Sequence, residues 1–286
     1  MWYLITLISG FSFTTADAFS KKESKRTSAI ILAWVREAYA LPFLLPLLLF
    51  IKIPELDQTF WIAIAICVVM DLITTFLYMK AIQIAPLSLT IPYLGLTPLF
   101  LLIIPTIILG ETLSFLGIIG VILISTGTYA LQLDRAKYGL FEPWLAIFKN
   151  RGSLFMFLIA ISYSITATVG KMAIQHSSAL FMTIVYFSLL AIGFTPFVIA
   201  STNGKVKLLV KHPSSYLKIG FVMAIMAVTH FSAIGMIQVA YMISIKRLSL
   251  LFAILYGWLW FKEKNIKERI IGGLIIIAGA TCIAFA

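Results

Sequence analysis

Apolar residues run along this chain in ten stretches, roughly 2–20, 29–51, 59–79, 87–109, 113–131, 153–173, 179–200, 217–237, 241–261 and 270–286. Each is continuous rather than alternating, which excludes a β-barrel and predicts helices. At about 1.5 Å per residue, about twenty residues cross the roughly 30 Å of hydrocarbon in a bilayer. The pattern therefore predicts an all-α integral membrane protein with ten transmembrane helices, spans 1 to 10. Composition agrees: 61% of residues are hydrophobic, only 12% are charged, and the mean hydropathy is +1.04. A soluble core of this size could not hide that much apolar surface.

The polar punctuation between the runs repeats. Glu111, Gly120 and Gly127 are spaced nine and seven residues apart, as are Glu263, Gly272 and Gly279. In a second register Ser12, Lys21 and Pro46 recur 150 residues later as Ser162, Lys171 and Pro196, with Tyr163 answering Phe13. The expected organisation is a first five-helix repeat over 1–131, a cytoplasmic linker over 132–152 and a second repeat over 153–286. Because five is odd, the two repeats must be inverted relative to one another, as in many secondary transporters.

Ala16-Asp17-Ala18 has the look of a signal-peptide cleavage site, but residues 1–5 carry no Lys or Arg and the basic cluster follows the run. An uncleaved first helix is the expectation. Loops after spans 1, 3, 5, 7 and 9 hold seventeen Lys and Arg, among them Lys21, Lys80, Arg135, Lys211 and Lys264. The opposite side has Lys52, Lys171, Lys246 and Arg247, and Arg36 lies within span 2. The positive-inside rule puts the seventeen in the cytoplasm of a cell (inner or plasma) membrane and both termini outside it. The net charge of +11 then reflects topology and contact with anionic lipid of the bilayer. No soluble basic face suggests nucleic-acid binding. Cys67 and Cys282 read as small apolar fillers, and no nucleotide-binding, zinc or nucleophile-elbow pattern appears, so no cofactor or metal is expected.

A Glu closing spans 4 and 9, each followed by a glycine-spaced helix, within ten short helices in two inverted repeats, resembles the drug/metabolite transporter superfamily of the two-repeat EamA type. The residues that carry the resemblance are Leu109-Gly110-Glu111-Thr112-Leu113-Ser114 with Gly120 and Gly127. In the second half they are Ala240 through Phe252 and Phe261-Lys262-Glu263-Lys264. The resemblance implies a transporter of a small organic metabolite or drug. It leaves the solute open, since the superfamily moves amino acids, sugars, nucleotide sugars, cationic drugs and lipids.

Chemistry is sought among the charges inside the spans, each of which costs about 2.5–3.5 kcal/mol at mid-helix and so normally faces a cavity or a partner. In span 1, Thr14, Asp17 and Lys21 share a face. Asp17 is either half of a pair with Lys21 or a cavity carboxylate; an acid on the first helix of smaller superfamily members favours the latter. Asp71, Thr74, Thr75 and Tyr78 form a polar stripe on span 3 that lines a cavity or bonds another helix. Arg36 and Glu37 are adjacent in span 2, point about 100° apart and cannot pair with each other. One is expected to meet Asp17 or Asp71, as ion pair or as substrate contact. His230 in span 8 is either packing or a proton relay, and Tyr241 opens span 9 beyond it. Lys246 and Arg247 either snorkel to outer headgroups or bind an anionic group. Glu111 and Glu263, at span ends, read as structural. Met70, Met79, Met223, Met226, Met236 and Met242 read as packing or as an adaptable cavity wall.

Span 4 carries Pro92, Gly95, Pro98 and Pro105, and each proline removes a backbone hydrogen bond. A kinked, gating span 4 is expected, and because span 9 lacks its prolines the two halves are expected not to be functionally equivalent. The function expected is a secondary transporter (permease or exporter) of a small amphipathic solute by alternating access, as monomer or homodimer. Its driving force would be proton exchange through Asp17, Asp71 or His230. The alternatives are a flippase of lipid-linked intermediates, an integral-membrane enzyme and a non-transporting membrane scaffold.

Overall fold

The computed structural model describes residues 1–85, 91–131, 150–204, 209–261 and 270–286, and among these it is helical throughout, without strands. In the first half α1 covers Trp2–Glu23, α2 Ala29–Ala38, α3 Leu41–Leu44 with a 3-10 turn at Leu45–Phe50, and α4 Gln58–Ile84. A 3-10 segment Ile91–Leu96 leads to α5 (Thr97–Phe100), α6 (Ile104–Leu109) and α7 (Phe115–Ala130). The second half has α8 (Arg151–Gln175), α9 (Ala179–Ser201), α10 (Pro213–Ile234), α11 (Val239–Lys246), α12 (Ser249–Phe261) and α13 (Ile270–Ala284). Glu263 and the loops at 132–149, 205–208 and 262–269, with nine of the seventeen loop cations counted above, lie outside the described residues.

Among the described residues six segments are long and apolar enough to cross a membrane, with shorter apolar helices at Tyr93–Leu109, Phe115–Ala130 and Ile271–Ala284. Helix α1 is long enough but too polar for that description. Its Thr6, Ser9, Ser12, Thr14, Asp17 and Ser20 are buried against protein, where Ser9 and Thr14 donate to the carbonyls of Met226 and Ser249. Helix starts follow local chemistry. Asp57 accepts from the Phe60 N–H, Ser114 from Gly117, and Ser178 from Phe181. The Phe60 N–H, with His176 at 2.6 Å, holds the Asp57 carboxyl below its usual range. Gly110 ends α6 in the left-handed region at φ +66, which a glycine adopts without strain.

Packing makes the repeat explicit. Helix α1 lies on α10 as α8 lies on α4; α2 meets its counterpart α9; α7 meets its counterpart α13. Exchanging the halves maps this set of contacts onto itself. In the α7–α13 crossing Gly120 faces Gly279 and Gly127 faces Gly272, so the two helices run antiparallel. A two-fold axis that exchanges two antiparallel helices is perpendicular to both, hence in the membrane plane, and the repeats are inverted. The crossing also explains the glycine spacing. A Cβ on any of the four would sit 2.6–2.8 Å from a backbone oxygen of the facing helix. Small residues at such a crossing let backbones touch and gain dispersion contact that apolar lipid does not supply otherwise.

Candidate functional site: a charged cavity between two broken spans

Spans 4 and 9 are discontinuous. Pro98 and Pro105 do not kink a running helix; each sits in the first two positions of its own short helix, α5 and α6, where a missing N–H costs nothing. Gly95 lies against α7, and a Cβ there would fall 2.0 Å from the Thr128 methyl. Pro92 lies in the 3-10 segment. Span 9 breaks as well, without any proline. Its ladder stops at Arg247 and restarts at Ser249, and tertiary contacts hold the break. Gly10 brings α1 so close that a Cβ would lie 2.9 Å from the Lys246 carbonyl oxygen, and Thr14 takes the Ser249 carbonyl at 3.0 Å.

At these breaks the structure forms a cavity of about 130 Å³, room for roughly ten waters. Arg36, Glu37, Asp71, Thr75, Tyr78, His230, Lys246 and Arg247 line it, so most of the candidates converge, drawn from four separate spans. Arg247 Nη2 donates to Thr97 Oγ1 at 3.0 Å, joining the break in span 9 to that in span 4. Lys246 Nζ lies 3.2 Å from His230 Nδ1 and 4.9 Å from the Phe13 ring centroid. Both cations are buried, which corrects the reading that they snorkel to headgroups.

Asp17 stands behind the wall. Arg36 Nη1 donates to its Oδ1 at 2.8 Å and Tyr78 Oη to its Oδ2 at 2.6 Å, so its partner is Arg36 and not Lys21. Lys21 instead donates to the carbonyls of Ile82 and Ala85. The guanidinium of Arg36 also rests over the rings of Phe13 (5.2 Å) and Tyr78 (5.6 Å). The span 3 stripe divides its duties: Thr74 bonds Ser162 at 2.7 Å as helix glue, while Asp71 and Thr75 face the cavity. Tyr186 Oη donates to Asp71 Oδ2, which leaves Oδ1 unpartnered; Glu37 Oε2 and Arg247 Nε are unpartnered as well. Tyr241 is not part of the cavity. Its hydroxyl accepts from the Ser114 N–H at 2.8 Å, where it ties span 9 to the start of α7.

Two features escaped the sequence reading. Tyr163, Tyr186 and Phe187 supply aromatic wall, and Lys171 pairs with Glu111. Lys171 Nζ donates to Glu111 Oε1 at 2.5 Å and to the Ile237 carbonyl at 2.7 Å, while Glu111 Oε2 accepts the Val239 N–H at 2.9 Å. One lysine and one glutamate thus join spans 4, 6 and 9. The Lys21–Lys171 repeat was the available signal; their equivalent carbonyl acceptors, Ala85 and Ile237, appear only in three dimensions.

The profile of the EamA-like transporter family matches residues 1–132 and 150–285. No curated protein matches the chain. A solved crystal structure is similar over 98% of this chain and 96% of its own, with a TM-score of 0.69 and 15% identical residues; at that identity the likeness shows the fold alone.

Proposed function

We propose that this chain, which belongs to the EamA-like transporter family and is therefore a multi-pass membrane transporter of the drug/metabolite type, is a secondary transporter that binds a small amphipathic solute in the cavity at Arg247 and Thr97. The observation that carries the reading is a polar cavity, with unpartnered charged atoms, where the discontinuous spans of two inverted repeats meet. Inverted-repeat carriers bind solute at such a junction and alternate by rocking one repeat against the other. Placing seventeen basic loop residues in the cytoplasm puts both termini and the Glu111–Lys171 contact on the outer face of the cell membrane. That contact is the closure we assign to the outer end.

Protons are the proposed coupling ion, and Asp71 the proposed site. Both oxygens of Asp17 are occupied by Arg36 and Tyr78, whereas Asp71 keeps one oxygen free at the cavity. The test is solute uptake and efflux in proteoliposomes, with and without a pH gradient, across amino acids, sugars and cationic drugs. Saturable flux that a pH gradient accelerates is expected; no flux of any solute above protein-free liposomes overturns the reading.

A further inference from the structure

Charge in the cavity is divided between the two repeats. Arg36 is already neutralised by Asp17. That leaves Glu37 and Asp71 from the first repeat, each buried with one oxygen unpartnered, and Lys246 and Arg247 from the second. Among the described residues neither Lys246 nor Arg247 has a carboxylate within 4 Å, and Arg247 Nε has no acceptor. Their present contacts are a hydroxyl, an imidazole, a thioether and an aromatic face.

Burying an uncompensated charge is expensive, and a bound group of opposite sign relieves the cost. A purely cationic solute would answer Glu37 and Asp71 and leave Lys246 and Arg247 as they are. A carboxylate alone would do the reverse, and a neutral sugar would answer neither pair. A solute carrying both an ammonium and a carboxylate answers all four. Much of the remaining wall is apolar or aromatic, including Met182, Phe187, Met223 and Phe231, which suits an apolar tail. Resting on the transporter reading above, we infer that the solute is a zwitterion with an apolar side chain. Its ammonium sits at Glu37 and Asp71 of the first repeat, and its carboxylate at Arg247 and Lys246 of the second.

The test uses the full-length protein in nanodiscs and three matched sets of probes. Leucine, methionine and phenylalanine are each compared with the amine lacking the carboxylate and the acid lacking the amine. Binding is measured by calorimetry, and counterflow in proteoliposomes reports transport. At least one zwitterion is expected to bind tenfold or more tightly than both its single-charge analogues. Arg247→Gln should weaken the zwitterion and the acid but spare the amine, and Glu37→Gln should weaken the zwitterion and the amine but spare the acid. The comparison within the unmutated protein stands even if a variant fails to fold. An amine or acid that matches its zwitterion, or no zwitterion bound at all, overturns the inference. If other solutes are still carried, the transporter reading survives that outcome; if none is, both fall.

Discussion

Asp17 and Arg36 make a buried ion pair whose removal should be costly one residue at a time and much cheaper together. Their side chains are 0% and 3% exposed at an N–O distance of 2.8 Å. Asp17→Asn removes the carboxylate that balances the Arg36 guanidinium and leaves that charge buried against ring faces, Ser20 and a neutral amide. Arg36→Gln leaves the carboxylate with only the Tyr78 hydroxyl. Breaking a buried pair from one side costs about 3–5 kcal/mol. At roughly 2–4 °C per kcal/mol for a chain of this order, each single variant should lose about 6–20 °C in apparent Tm. The double variant buries no charge and should lose no more than the worse single one, the signature of coupled sites. Thermal unfolding of detergent-solubilised protein, followed by size-exclusion fluorescence, reads all three. Single variants within about 2 °C of the parent, or a double variant that loses the sum of the two, would refute the assignment of Asp17 as the structural partner of Arg36.

Asp71→Asn should cut transport at least tenfold with little change in apparent Tm, because it removes a charge at the cavity while keeping the Tyr186 hydrogen bond; normal flux under a pH gradient would show that Asp71 is not the proton site. Glu111→Gln should open its end of the bundle, raising several-fold the reaction of Cys67, in a Cys282→Ser background, with an impermeant thiol reagent added from that side; unchanged reactivity would deny the contact a closing role. Gly279→Val should prevent α7 and α13 from meeting, since its Cβ would lie 2.6 Å from the Gly120 carbonyl oxygen, whereas Gly235→Ala meets nothing closer than 3.4 Å; equal expression and stability of the two would contradict the crossing. Tyr241→Phe should cost about 0.5–1.5 kcal/mol in stability and leave solute affinity unchanged, and a loss of affinity would return Tyr241 to the site.

The sequence announces the repeat because membrane packing is demanding at a few positions. Gly120 and Gly127 must be glycine to meet Gly279 and Gly272, so their spacing survives in both copies. The stripe on span 3 is equally plain, because a carboxylate has few reasons to sit in lipid. The break in span 9 is not plain. No proline marks it, and its causes, Gly10 and Thr14, lie more than 230 residues away in α1. For the same reason the partner of Asp17 could not be read from helical spacing: Lys21 is four residues on, but its ammonium reaches to α4 carbonyls. Tyr186 is one polar tip in an apolar helix and looks like packing until Asp71 is set against it.

The central claim is that one cavity is reached from each side of the membrane in turn. Cys67 lines that cavity and is buried, so its reaction with an impermeant thiol reagent measures access directly. In Cys282→Ser protein reconstituted in a single orientation, Cys67 should be labelled by reagent applied to either side, and saturating transported solute should protect it from both. Labelling from one side only, whatever solute is present, would contradict alternating access through this cavity.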